Sequence, residues 1–246
     1  MTTIGIKPAE IDIRRAHDRF HTEISWLDSW HSFSFGPFHD PENTHHGLLL
    51  VNNDDVIAGG GGFGTHPHAD MEIVTWVLRG ELEHRDSEGN EGTIYPGLAQ
   101  RMSAGSGIRH SEVNASATAD VHLVQMWVLP DTRGIAPGYE QRDLGTAIDT
   151  GGLVVVASGQ RHEGAVTIHQ RDATLLVGRL REGESVTVPA AAHAHVFVPV
   201  GAAVLAASGL TGQALATGDA ARCTDAGELE LVAGAEGGEV LVWLTT

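Results

Sequence analysis

The chain has 246 residues, with 32 acidic side chains against 15 Lys plus Arg, a formal net charge of −17, one cysteine and 15 histidines. That length can bury a substantial core in one large domain or two small ones. A single cysteine (Cys223) excludes an internal disulfide framework and any Cys-rich zinc or iron–sulfur site, and an acidic chain without a Lys/Arg cluster excludes direct contact with a phosphate backbone.

The first segment, Met1 to Asp18, carries charges throughout and no apolar stretch, so it does not read as a signal peptide. Short apolar runs rich in β-branched residues then recur at Gly47–Val51, Glu72–Leu78, Val121–Leu129, Leu153–Ala157, Val166–His169, Leu175–Arg179, Ser185–Val188, Val196–Val200 and Val240–Leu244. Gly, Asn, Asp and Pro clusters separate them, and no segment sustains a 3.6-residue apolar period. This pattern predicts an all-β sandwich or barrel. The longest uncharged run, Ser185–Gly218, is interrupted by His193, His195, Pro199, Gly201, Gly209 and Gly212, and reads as strand, turn, strand rather than a membrane span. A soluble, cytoplasmic protein is expected. The Pro, Gly and charged residues of Asp131–Gly152 read as a linker, giving an N-terminal domain over 1–135 and a C-terminal domain over 136–246. Eleven of the histidines precede this linker, whereas both halves are acidic.

A faint internal repeat supports the division. At an offset of 121 residues, Val77 falls on Val198, Gly80 on Gly201, Ser87 on Ser208, Gly97 on Gly218, Ala99 on Ala220 and Arg101 on Arg222. The pairs of turn glycines at equal spacing suggest two copies of one β unit.

The chemistry concentrates in the first half. His66 and His68 precede a predicted strand, and His110 and Glu112 follow downstream. Residues two apart on a strand share a face, so each pair can aim two ligands at one point. Three imidazoles and a carboxylate suit a divalent first-row transition metal and leave coordination positions open, as catalysis requires. Without thiolates, a redox-active iron fits this set better than a structural zinc. Zn, Mn, Ni, Co and Cu are further metals this donor set could take. Glu72 competes for the carboxylate position, and spacing alone leaves Glu72 and Glu112 both open.

Other signals read as structural. His84-Arg85-Asp86 reads as a polar hairpin end, and the adjacent His45-His46 cannot share a strand face. Gly59-x-Gly61-x-x-Gly64 matches a dinucleotide fingerprint, but Pro67 and β-branched residues follow where a helix is required. Gln125 and Trp127 share a strand face and fit a pocket wall or a core equally. Cys223, which the repeat places on Met102, reads as a buried core residue. His193-Ala194-His195 is a same-face pair with no His-x-Glu partner after it.

The spacing Gly60-(x)5-His66-x-His68-(x)3-Glu72-(x)7-Gly80 resembles the first cupin motif, and Gly107-(x)2-His110-(x)3-Asn114 the end of the second. The long stretches GFGTHPHADMEIVTWVLRGELEHRDSEGN (62–90) and QRMSAGSGIRHSEVN (100–114) resemble the pirin family. WLDSWHSFSFG (26–36), LVQMWVLP (123–130) and PGYEQ (137–141) add to the likeness. The resemblance implies a bicupin, two packed double-stranded β-helix barrels with Fe(II) in the N-terminal one, held by His66, His68, His110 and Glu112. The pirin pattern thus chooses Glu112 over Glu72. At the 121 offset these four fall on Thr187, Pro189, Leu231 and Ala233, so the second barrel is expected to lack the site.

The resemblance further implies a quercetin 2,3-dioxygenase-like enzyme, with a small aromatic substrate and O2 as reaction partners. The flavonol 3-hydroxyl loses its proton, O2 adds across the ring, and carbon monoxide leaves. Glu112 would act as ligand and as catalytic general base. The alternative it implies is a non-enzymatic, iron-containing regulator that acts by binding a protein partner.

Overall fold

Valine, isoleucine, leucine and threonine runs bounded by glycine, asparagine and aspartate turns assemble, almost wholly antiparallel, into three sheets. The computed structural model describes residues 10–207 and 212–246. Ser208 and Gly209, used in the repeat and in the strand–turn–strand reading, lie outside the described residues. The only helical segments among the described residues are 3-10 turns at Ala16–Asp18 and Gly145–Thr150. Among the described residues no helix is long and apolar enough to cross a membrane.

The first half builds two sheets. One has seven strands in the order Gly138–Asp143, Leu98–Ser103, Glu72–Arg79, Val121–Val128, Leu49–Ile57, Leu27–His31, Phe20–Ile24. The other has four, in the order Gly62–His68, Ile108–Asn114, Leu82–Asp86, Glu91–Ile94. Eight strands of the second half, with Glu10–Arg14 at one edge, form a nine-stranded sheet dominated by two long strands, His193–Ala207 and Leu229–Thr245. The result is the all-β, two-barrel bicupin that the motifs predict.

Two edge strands cross the expected boundary near residue 135. Glu10–Arg14 pairs with Ala220–Thr224 of the second half, and Gly138–Asp143 pairs with Leu98–Ser103 of the first. The segment Asp131–Gly152 is therefore more than a linker. Its strand lies at a sheet edge with its side chains partly in solvent, which is why its composition reads as loop. The strand foreseen as Gly47–Val51 likewise runs as Leu49–Ile57, through the buried Asn52-Asn53-Asp54-Asp55.

The repeat is written into the strand pairing. Glu72, Val74 and Trp76 face Ser103, Arg101 and Ala99. At the 121 offset, His193, His195 and Phe197 face Thr224, Arg222 and Ala220 in the same register. Gly80 and Gly201 both adopt positive φ, 79° and 85°, where L side chains are strained. A Cβ would come within 2.7 Å of the Asp120 carbonyl oxygen in one case and 2.2 Å of the Gly237 carbonyl oxygen in the other. Each barrel thus needs glycine at the same corner.

Alternation along the strands divides two environments. Val74, Trp76, Val124, Met126 and Val128 point away from the first barrel's interior and join Val156, Leu175, Val177, Phe197, Leu241 and Trp243 in one core shared by both halves. The intervening residues face into the barrel, where the candidate site lies.

Candidate metal centre

Two neighbouring strands carry the four expected ligands. Antiparallel pairing sets His110 opposite His66 and Ile108 opposite His68. Between His110 and Glu112 the register slips, because Glu112 lies opposite Phe63 and the facing strand carries one extra residue. Such a bulge re-aims side chains locally. Gly62 makes the close approach possible: a Cβ there would meet Val113 Cα at 2.5 Å and the Glu112 carbonyl oxygen at 2.7 Å.

The rings of His66, His68 and His110 converge, with centroid separations of 4.8, 4.4 and 4.9 Å. One nitrogen from each lies within 4.8 Å of the others. His66 Nδ1 is hydrogen-bonded to the Gly64 carbonyl at 2.8 Å, which fixes the tautomer and leaves Nε2 as the ligand atom. Burial pushes His68 down to about 4 and His110 down to about 3, and the neighbouring imidazoles add to both shifts. The His68 and His110 rings are therefore neutral near pH 7, with lone pairs available.

His68 Nε2, His110 Nε2 and Glu112 Oε1 are buried without a hydrogen-bond partner. Glu112 groups with His110 and His84 rather than with His66 and His68, so the four expected ligands meet through His110. Buried polar atoms left orphaned are costly unless a ligand satisfies them. Three neutral nitrogen donors and one carboxylate oxygen fit a divalent transition metal. The other carboxylate oxygen, Glu112 Oε2, accepts from Gln125 Nε2 at 2.7 Å, and Gln125 Oε1 accepts from Trp127 Nε1 at 3.0 Å. Gln125 and Trp127 are thus wall residues of the cavity that orient the carboxylate.

His84 differs from its sequence reading. It lies on the hairpin strand Leu82–Asp86, but its side chain is fully buried, with its Nδ1 3.4 Å from His110 Nδ1 and its Nε2 3.2 Å from Asp86 Oδ2. Its ring stacks on Tyr139, 4.6 Å between centroids. His84, His110 and Glu112 form a second group of potential ligands that shares two members with the expected set. The pairing explains this position, since His84 lies opposite Glu112 and Asp86 opposite His110. The partner ring comes from Gly138–Asp143, the strand that read as linker, so no local signal could have placed His84 inside.

A cavity of about 310 Å³ opens onto this cluster, within the range of small-molecule sites. His66, His68 and Glu112 line one side. Thr22, Ser29, His31, Asn53 and Asp55 line the other, with Phe35, Phe63 and Trp127 as aromatic walls. A polar row crosses the seven-stranded sheet here, with Gln100, Thr75, Gln125, Asn53 and His31 side by side on successive strands. Sequence reasoning found Gln125 alone of this row as a possible pocket residue; Thr75 lies within a predicted apolar strand, and Gln100, Asn53 and His31 lie outside the predicted strands.

The remaining candidates sit elsewhere. The carboxylate of Glu72 accepts from Ser103 Oγ at 2.8 Å and from the His169 backbone N–H at 2.9 Å, and lies on the strand face turned towards the second half. His195 is fully buried between Arg222 and Trp243 on adjacent strands, with Phe33 5.6 Å away. Neither it nor His193 belongs to a potential ligand group among the described residues. His46 is hydrogen-bonded to the Cys223 carbonyl, while Cys223 is buried and its thiol is pushed up to about 12 by burial.

The mapping of the repeat onto the second barrel needs one correction. Leu231 pairs with Val186 and Leu229 with Val188, just as His110 pairs with His66 and Ile108 with His68. The counterparts of His66 and His68 are therefore Val186 and Val188, not Thr187 and Pro189. The loop that follows, from Val188 to His193, is one residue longer than the loop from His68 to Glu72.

Comparison with known proteins identifies the family. Residues 13–128 match the Pirin family model, and residues 155–243 match the quercetinase C-terminal cupin domain. A Mycobacterium tuberculosis (strain H37Rv) protein, provisionally named a quercetin 2,3-dioxygenase, is 55% identical over 236 residues, covering 96% of this chain and 95% of that one. The Escherichia coli (strain K12) quercetin 2,3-dioxygenase is 42% identical over 190 residues, covering 77% and 80%. The crystal structure of the bacterial pirin YhhW from Escherichia coli in complex with nickel(II) superposes with a TM-score of 0.86 at 39% identity, covering 96% and 99%. Sequence and barrel architecture agree, and the chain belongs to the pirin family.

Proposed function

We propose that the protein is a metal-dependent dioxygenase of the pirin type, which cleaves a flavonol such as quercetin with O2 and releases carbon monoxide. His66, His68, His110 and Glu112 would hold the metal, with iron(II) as the working ion. The observation that carries this reading is the convergence of the His66, His68 and His110 rings, with Glu112 beside His110, against an aromatic-walled cavity. The relatives named for quercetin dioxygenation and the nickel-bound YhhW support it. A bound divalent metal would supply Lewis-acid activation of the flavonol hydroxyketone and the redox chemistry with O2.

The chain's own residues do the rest. Gln125 fixes Glu112 Oε2, and Trp127 in turn fixes Gln125, so the carboxylate presents Oε1 to the cavity. Glu112 Oε1 would take the proton of the substrate's 3-hydroxyl, the general-base role. Phe35, Phe63 and Trp127 flank the flat aromatic ligand and exclude water. His68 and His110, held neutral by burial, present lone pairs and do not repel a cation.

The test is loss of flavonol absorbance under air, with and without added Fe(II). Wild type consumes quercetin in proportion to bound metal, and His66→Ala falls to background. A metal-loaded His66→Ala variant as fast as wild type would overturn the assignment.

A further inference from the structure

Asp55 is the unexplained group in the cavity. It sits on Leu49–Ile57, is 4% exposed, and lines the wall across from His66, His68 and Glu112. Its Oδ1 accepts from Ser29 Oγ, and among the described residues Oδ2 has no hydrogen-bond partner. Among the described residues no salt bridge reaches it, and His122, the charge that draws it down, is itself paired with Asp54. The adjacent Asp54, on the opposite strand face, takes both Arg19 (3.1 Å) and His122 (2.7 Å). A buried carboxyl without a counter-ion costs stability and is kept where a ligand uses it. Burial pushes it up to about 7, Ser29 opposes the shift, and Asp54 and Glu112 add to it.

The surroundings hold Asp55 in place. Ser29 Oγ lies 3.5 Å from His31 Nδ1, and His31 is tied to Asn53 Oδ1 and Thr22 Oγ1, each at 3.0 Å. This chain spans three strands and fixes the wall, leaving Asp55 Oδ2 as the acceptor facing a ligand. Because the flanking walls are Phe35, Phe63 and Trp127, the ligand between Asp55 and the metal cluster is flat and aromatic.

We propose that Asp55 is a specificity-determining residue: it accepts a hydrogen bond from a phenolic hydroxyl on the far side of the substrate from the metal. The site would therefore select polyhydroxylated aromatics over those carrying only the metal-directed hydroxyketone. This rests on the reading of the cavity as the substrate site.

The test compares anaerobic binding of quercetin and 3-hydroxyflavone to the metal-loaded protein, in wild type, Asp55→Asn and Asp55→Leu. Both ligands carry the hydroxyketone, and they differ in their outer hydroxyls. Wild type favours quercetin by about tenfold, the scale of one hydrogen bond to a carboxylate. In Asp55→Leu the ratio of the two Kd values falls to near one. If that variant does not fold, the near-isosteric Asp55→Asn carries the test, with the ratio reduced about threefold or more. An unchanged ratio overturns the role of Asp55 while leaving the dioxygenase reading intact. Failure of wild type to bind either flavonol overturns the substrate reading and this assignment together.

Discussion

The two barrels share one plan and fill it with opposite chemistry. In the first, Gln100, Thr75, Gln125, Asn53 and His31 lie side by side across the sheet and face the metal cluster and its cavity. In the second, the equivalent row is Ala221, Val196, Val242, Leu176 and Val155. The four expected ligands have Val186, Val188, Leu231 and Ala233 as counterparts, all within one aliphatic core. Each fully buried Val or Leu contributes about 1.5–3 kcal/mol through burial. The first barrel instead retains orphaned polar atoms, including Thr75 Oγ1 and Gln100 Oε1, each of which costs on the order of 1–3 kcal/mol. The second barrel reads as the stabilising copy and the first as the chemical one.

A reciprocal exchange at one position strains this contrast most. His110→Leu should abolish metal binding yet leave a folded protein that, metal-free, melts no lower than wild type. Leu231→His should bind no additional metal and cost about 2–5 kcal/mol, because it removes a buried aliphatic side chain and strands a polar ring in its place. Metal analysis and thermal melts of the two variants check both halves. A second bound metal in Leu231→His would break the contrast.

Acid should expose the same asymmetry. His68 and His110 have folded-state values of about 4 and about 3, below the ordinary 6.5. Between these values the unfolded chain binds more protons than the folded one. Metal-free stability is therefore flat above about pH 6.5 and falls as pH drops towards 4. His31, His46 and His195, lowered chiefly by burial, act in the same direction. Asp55, raised to about 7, acts in the opposite direction over part of that window. Melting temperature against pH should thus decline below 6.5, and less steeply in His110→Leu. Equal slopes would mean that His110 is not held neutral by the fold.

The smallest effect is the most local. Thr75→Val removes an unpartnered buried hydroxyl and brings the row closer to its counterpart Val196. The metal-free melting temperature should rise by about 2–4 °C, the response of a chain this size to about 1 kcal/mol. A fall would show that the hydroxyl is satisfied and that the polar row is better paired than its contacts suggest.

Much of the site was legible because its signal is local. His66/His68 and His110/Glu112 each stand two apart on a strand, and that spacing alone puts each pair on one face. The apolar strands were legible for the same reason, as was the repeat, whose offset recurs in the pairing of Glu72–Arg79 and His193–Ala207. What escaped depends on distant partners. The acids of Leu49–Ile57 look like a loop until the two flanking strands pair with them, and His84 looks like a polar hairpin end until Tyr139 covers it. The one-residue slip that moves the counterparts of His66 and His68 onto Val186 and Val188 comes from a longer loop, which a fixed offset cannot register.

The central claim is that one metal sits in the first barrel and none in the second. An anomalous-difference map of the metal-loaded protein, with elemental analysis of the same sample, tests it directly. The account predicts one divalent ion per chain, bound by His66, His68, His110 and Glu112 with at least one open position. Metal at Glu72 or at His193 and His195, or a shell fully closed by protein atoms, would contradict it.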